Sequence, residues 1–211
     1  MKFNRVKNFK AIHTEDAGLH LMERARKHIR ESCEVKQSIP PEFLSKLCEI
    51  SERTAKALRD GGCVFFCGNG GSAADAQHLA AEFVGRFRLE RSALPSMALT
   101  TNSSLLTAVA NDYGYDQVFG RQIQAFGKPG DILFALSTSG MSANVLIAAR
   151  EAKQRGLYTI GLTGRSGGKL REYADALLDV PSDDTPRIQE THILVGHIFC
   201  DLVETLLAGD N

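Results

Sequence analysis

The chain lacks net charge: its 211 residues carry 25 basic and 25 acidic side chains. Its basic residues are scattered rather than striped, so it has no electrostatic footprint for a nucleic acid or an anionic membrane surface. Uninterrupted apolar runs of about 18 residues are missing as well, which predicts no membrane-spanning helix. The charged start Met1-Lys2-Phe3-Asn4-Arg5-Val6-Lys7 has no apolar stretch behind it, so no secretory leader is expected and a cytoplasmic location is. The five cysteines, Cys33, Cys48, Cys63, Cys67 and Cys200, are odd in number and show no C-x-x-C spacing. That pattern excludes a disulfide framework and a structural zinc finger, and predicts buried thiols in a reducing compartment. The P-loop is absent, leaving nucleotide hydrolysis without support. There is no internal repeat and no low-complexity tract.

What is present suits one α/β domain. The composition, 43% hydrophobic, can bury a full core at this length. Residues 1–15 show no period and read as a mobile arm. Residues 16–60 have helical spacing broken at Ile39-Pro40-Pro41, which predicts two helices. An α/β core follows over 61–211. Cys63 to Cys67 is apolar without alternation, as in a strand buried on both faces. Further strands are predicted at 96–100, 132–136, 158–162 and 176–180. Amphipathic stretches at 73–87 and 143–156 lie between them, and a long terminal helix spans 188–207, preceded by the breakers Pro181 and Pro186. Strands alternating with helices imply a parallel, doubly wound sheet, whose ligands bind at the carboxyl ends of the strands.

Two turns sit at those ends, Cys67-Gly68-Asn69-Gly70-Gly71-Ser72 and Ser137-Thr138-Ser139-Gly140-Met141-Ser142. Each follows an apolar run and precedes a helix, an arrangement that offers unpaired N–H groups and hydroxyls to an anion. A single Gly/Ser turn is ordinary loop punctuation; two at equivalent places on one sheet suggest one phosphorylated small molecule. The first turn also matches Gly68-x-Gly70-x-x-Ala73, a form of the dinucleotide fingerprint. The acid that holds the ribose is missing, because the second strand ends in Leu99-Thr100-Thr101-Asn102.

His78 and Glu82 are one helical turn apart on one face, a spacing by which a helix offers two ligands to one divalent metal. A solvated surface pair is the plain alternative, but Leu79, Ala80, Ala81, Phe83 and Val84 make this helix largely apolar, where an unpaired carboxylate is costly. Asp75 could orient His78 from behind. The terminal helix carries Gln189 and His197, the latter in a nearly all-apolar stretch where a core histidine is the plain reading. Eight helical residues rise about 12 Å, too far for both to reach one metal comfortably. Either the helix starts after Gln189 or a neighbouring subunit supplies one of them.

With these residues in view, the chain resembles the SIS (sugar isomerase) domain family and, within it, the heptose phosphate isomerase branch. The resemblance runs from about residue 16 to the end and rests on the two turns, Asp75-Ala76-Gln77-His78-x-x-x-Glu82, Gly85-Arg86-Phe87, Ala110-Asn111-Asp112, Ser142-x-Asn144, Leu162-Thr163-Gly164 and Arg187-Ile188-Gln189-Glu190. It implies a three-layer, flavodoxin-like α/β/α domain with a five-stranded parallel sheet, and N-terminal helices that pack a homotetramer with active sites between subunits. It further implies interconversion of sedoheptulose 7-phosphate and D-glycero-D-manno-heptose 7-phosphate for heptose-containing surface polysaccharides. By the same resemblance Ser137, Thr138, Ser139 and Ser142 hold the phosphate, Asn69, Gly70, Gly71, Asn111 and Asp112 contact substrate, and Gln189 joins them. His78, Glu82, Gln189 and His197 surround one zinc ion, and Glu82 and His197 are the acid/base pair. A non-enzymatic branch that binds the bacterial replication initiator as a tetramer differs at the positions of Glu82 and His197; both residues are present here. The segment Ser182-Asp183-Asp184-Thr185-Pro186 departs from the family's common one.

Overall fold

The computed structural model describes residues 15–208. The arm expected over 1–15 lies, except for its last residue, outside them. The two N-terminal helices form as read: α1 (Glu15–Gln37) and α2 (Pro41–Arg59), split where Pro40 and Pro41 deny the helix its N–H groups. The core then runs β1 (Val64–Cys67), α3 (Gly71–Val84), β2 (Ser96–Ala98), α4 (Ser103–Tyr113), α5 (Gly120–Phe126), β3 (Ile132–Leu136), α6 (Ala143–Gln154), β4 (Tyr158–Thr163), β5 (Ala176–Asp179) and α7 (Thr185–Ala208). All neighbouring strands pair in parallel in the order β2-β1-β3-β4-β5. This is the flavodoxin-like order, with the switch of winding direction between β1 and β3.

Successive residues of a strand face opposite sides, and the sheet uses both. Val64, Phe66, Ile132, Phe134, Leu136, Ile160 and Leu162 pack under α2, α3 and α7. Phe65, Cys67, Leu133, Ala135 and Leu177 pack under α5 and α6 on the other face. Phe66, Phe83, Phe134 and Phe199 form a tilted aromatic stack through the first layer, with ring centroids 5.0 to 5.8 Å apart. A helical layer therefore covers each face of the sheet, which makes the three layers that the family implies.

Four details differ from the sequence reading. Cys33 and Cys48 are exposed rather than buried, because they lie on outward faces of α1 and α2. Pro186 lies inside the first turn of α7 rather than before it, where a residue without an N–H costs no helical bond. The terminal helix accordingly begins at Thr185, so Gln189 is helical. Two helices, α4 and α5, fill the stretch between β2 and β3. Although α7 is long and apolar enough to cross a membrane by length and composition, it is a core helix, with Ile188, Val195, Phe199 and Val203 buried against α2, α3 and the sheet.

The first helix is docked at one end only. Arg187 donates to the carbonyl of His28, and Ser32 donates to Glu190 at 2.7 Å, fixing α1 on the start of α7. Towards its other end α1 exposes Leu19, Leu21 and Met22, and Ile29 is exposed beside the docked His28.

Candidate active site

Both hydroxyl-rich turns lie at the carboxyl ends of β1 and β3, adjacent strands of the sheet. In the first, Gly70 adopts φ 54°, a backbone that favours glycine, and α3 starts at Gly71 with no side-chain cap. In the second, α6 starts behind Ser142, again with no side-chain cap. First-turn N–H groups of that kind are the ones that hold anions. Ser137 and Ser142 bring their hydroxyls to 3.1 Å, and Ser139 Oγ accepts from the Met141 N–H at 3.2 Å, so the turn is drawn into a tight hydroxyl-lined loop.

The two turns are tied to each other. Asn69 and Asn144 exchange a pair of amide hydrogen bonds, both 2.8 Å, and Asn144 is buried. Tyr115 donates to Asn69 Oδ1 at 3.4 Å, bringing the end of α4, which carries Asn111 and Asp112, against the first turn. Asn111 donates to Asp112 at 2.8 Å, and both are exposed. Of the expected phosphate and sugar contacts, Asn69, Gly70, Gly71, Ser137, Thr138, Ser139 and Ser142 belong to these turns, Asn111 and Asp112 lie shortly before Tyr115 in the chain, and Glu82 and Gln189 lie on α3 and α7. A cleft of about 210 Å³ opens beside the second turn, lined by Thr138, Ser139, Gly164, Arg165, Ser182 and Asp183, among others. Arg165, paired with Asp183 at 3.1 Å, gives that cleft a cation that neither turn contains.

A cluster of titratable groups is built where α3 meets α7. His78 Nε2 lies 3.3 Å from Glu82 Oε1 and 2.8 Å from His197 Nε2. These three offer ligand atoms within 4.8 Å of one another, a group able to hold a metal ion. The close approach of the helices comes from Gly196, where a Cβ would stand 2.6 Å from the Leu79 side chain. Phe87 stacks on the His197 ring at 5.6 Å and 23°. Burial lowers the His197 pKa, and the neighbouring His78 lowers it further against the opposing pull of Glu82. An imidazole of that kind is neutral at pH 7 and able to take a proton.

Gln189 is hydrogen-bonded to Asp75, which lies about one helical turn before His78 on α3. Its amide covers Gly71, where a Cβ would stand 2.0 Å from Nε2. Asp75 has its carboxyl raised by burial, with Gln189 and His78 pulling the other way, and its Oδ2 is buried without a hydrogen-bond partner. Because α7 is continuous from Thr185, the reading in which the helix starts after Gln189 is ruled out. Sequence reasoning missed Asn144 as the tie between the turns, Arg165 in the cleft and Phe87 on His197. Asn144, the second residue of α6, and Phe87 both stand in motifs that carry the family resemblance, but neither motif names its partner.

A parallel sheet in this order, with paired hydroxyl-rich turns at its carboxyl edge, defines a sugar-phosphate-binding α/β protein of the SIS class, and the SIS domain family matches residues 27–164. The chain belongs to that family and, within it, to the phosphoheptose isomerases. It is 50% identical over 184 residues to the phosphoheptose isomerase of Clostridium acetobutylicum, covering 86% of this chain and 94% of that one. It is 59% identical over 163 residues to that of Rhodospirillum rubrum, covering 77% and 87%. The solved phosphoheptose isomerase of Neisseria gonorrhoeae superposes with a TM-score of 0.83 at 45% identity, over 88% of this chain and 99% of that one. The Francisella tularensis enzyme gives 0.80 at 36% identity, over 90% and 98%. The protein is an enzyme, a sugar-phosphate isomerase.

Proposed function

We propose that the protein interconverts sedoheptulose 7-phosphate and D-glycero-D-manno-heptose 7-phosphate through an enediolate, in the cytoplasm, on the route to heptose-containing surface polysaccharides. The observation that carries the proposal is the His78, Glu82 and His197 cluster beside two tied hydroxyl-rich turns. One end of the site suits a phosphate and the other suits proton transfer. Ser137, Thr138, Ser139 and Ser142, with the N–H groups at the start of α6, receive the phosphate. Asn69, Gly70, Gly71, Asn111 and Asp112 face the sugar chain.

The open-chain ketose then presents C1 and C2 to Glu82 and His197. One of the pair takes a proton from C1 and a proton is returned to C2, while the hydroxyl proton passes from O1 to O2; no atom is gained or lost. The lowered His197 pKa favours its neutral form as acceptor.

A divalent ion fits the donor set: two imidazole nitrogens and a carboxylate oxygen converge, an arrangement suited to zinc with a position open. His78, Glu82 and His197 would hold it, with Gln189 from another copy of the chain completing the set. When bound, zinc supplies positive charge to the oxygens at C1 and C2. The separation of Gln189 from His197 along α7 supports active sites between subunits of a homotetramer. The exposed Leu19, Leu21, Met22 and Ile29 of α1 supply apolar surface for such packing.

The test is incubation of purified protein with sedoheptulose 7-phosphate, with and without added zinc, following aldose formation. No aldose in either condition would sink the proposal.

A further inference from the structure

The end of α3 is closed by a buried ion pair that the reaction as described does not use. Glu204, on α7 and 1% exposed, accepts three consecutive main-chain N–H groups, from Phe87 at 3.1 Å, Arg88 at 2.7 Å and Leu89 at 2.8 Å. Its fourth partner is the Arg91 guanidinium at 3.0 Å. Burial alone would raise this carboxyl, but the N–H groups of Leu89, Arg88 and Phe87, with Arg91, outweigh it and hold it below the ordinary carboxylate range. Arg91 continues the chain of bonds. Its remaining nitrogens donate to the carbonyls of Glu82 and Phe83, both at 2.8 Å, and of Ser92 at 3.0 Å.

These bonds reach the reacting groups from two directions. Seven residues separate Glu204 from His197, about two helical turns, so both project from the same face of α7. The loop that wraps Glu204 is the one that lays Phe87 on the His197 ring. The arginine that Glu204 holds also binds the main chain of Glu82 itself. An acceptor with four charge-assisted or main-chain bonds is a rigid anchor, and truncating one side strands the other as a buried charge.

We propose that Glu204, through Arg91 and the 87–89 backbone, is a positioning residue of the active centre that sets the ring of His197 and the carboxylate of Glu82 relative to each other. The proposal rests on the isomerase reading above. It is tested by comparing wild type, Glu204→Gln, Phe87→Leu and the double variant in kcat, in KM for sedoheptulose 7-phosphate, and in zinc affinity read by competition with a chromophoric chelator. Glu204→Gln keeps the size and removes the charge. Phe87→Leu removes the ring and leaves the main-chain bonds to Glu204 in place.

Each single variant is expected to lower kcat and to weaken zinc binding by about tenfold or more, with KM within about twofold of wild type. The double variant is expected to be no worse than the poorer single one, because both changes act through His197. A role confined to stability would lower the melting temperature and leave kcat per folded molecule and zinc affinity unchanged. That result in Glu204→Gln, or additive losses in the double variant, overturns the proposal. Should Glu204→Gln not fold, Arg91→Lys, which keeps a positive charge beside Glu204 and gives up the guanidinium's bonds to the Glu82 and Phe83 carbonyls, decides by the same two quantities. Wild-type protein that binds zinc but forms no aldose refutes the isomerase reading, and the zinc affinities still decide for Glu204.

Discussion

His78 and His197, 119 residues apart in the chain, bring their Nε2 atoms to 2.8 Å, with Glu82 on the same side. Two imidazoles that close can share one proton or one cation, but two imidazolium rings would repel. The pair therefore converts two ordinary side chains into one unit with Glu82. Replacing Glu82 by Gln keeps its size and removes its charge, and His197→Asn removes the imidazole. Either change is expected to lower kcat by about 10²-fold or more, the scale of lost proton transfer. Zinc content, measured by atomic absorption on the purified variants, should fall in both. Retained turnover in both would take these residues out of the chemistry.

Gly71→Ala tests the position of Gln189. The new Cβ would stand 2.0 Å from Gln189 Nε2, and Gly71 is an ordinary helix-start residue with no positive φ. The far end of a flexible side chain can swing away, so the fold should survive with a melting temperature near that of wild type. The amide, however, leaves its place over the first turn. KM for the sugar phosphate is expected to rise by up to about tenfold, on the scale of one hydrogen bond lost. An unchanged KM would show that Gln189 does not contact substrate from this position.

Strands β1, β3, β4 and β5 were legible because they are buried on both faces along most of their length and so read as apolar runs, whereas β2 lies at the sheet edge with Met97 exposed. The β2 strand is shorter than its run, ending at Ala98, because Leu99 to Thr101 already turns towards α4. The helices α4 and α5 were not legible: no residue of α4 is buried, and α5 is seven residues long, so neither writes a clear apolar stripe. At the site, i, i+4 spacing exposed the His78 and Glu82 pair, since a local helix brings them together. His197 joins them only through the packing of Gly196 on Leu79, which no local pattern encodes. The same holds for Glu204: a carboxylate late in an apolar helix needs a partner, but Arg91 and the 87–89 amides are more than a hundred residues away.

The phosphate end predicts a different kinetic signature. Neither turn holds a lysine or arginine, so binding depends on hydroxyls and helix-start N–H groups, each neutral bond contributing about 1 kcal/mol and charge-assisted ones more. Replacing both Ser137 and Ser139 by Ala is expected to raise KM by at least about tenfold while the fold persists. Arg165→Gln, in the cleft beside Thr138 and Ser139, should raise KM as well and make it less sensitive to salt, because it removes the nearby cation. Steady-state kinetics at two ionic strengths check both; KM values that stay at the wild-type level would place the phosphate elsewhere.

The last prediction concerns acid. His192 is buried under the sheet, its Nε2 donating to the Thr163 carbonyl at 3.1 Å while Nδ1 has no partner. Burial lowers its pKa from 6.5 to about 4, against the opposing effect of that carbonyl. The folded state therefore keeps the ring neutral where the unfolded chain protonates it. Stability from this residue is complete above pH 6.5 and is lost as pH falls from 6.5 towards 4, because the unfolded state binds the extra proton. The loss approaches about 3 kcal/mol at the acid end. His192→Gln keeps a donor for Thr163 and cannot titrate. Urea denaturation of both proteins at one fixed concentration, across that pH interval, should show a steeper acid decline in wild type, the difference between them isolating His192 from the carboxylates they share. Parallel declines would mean that the ring is already neutral in the unfolded chain or charged in the folded one.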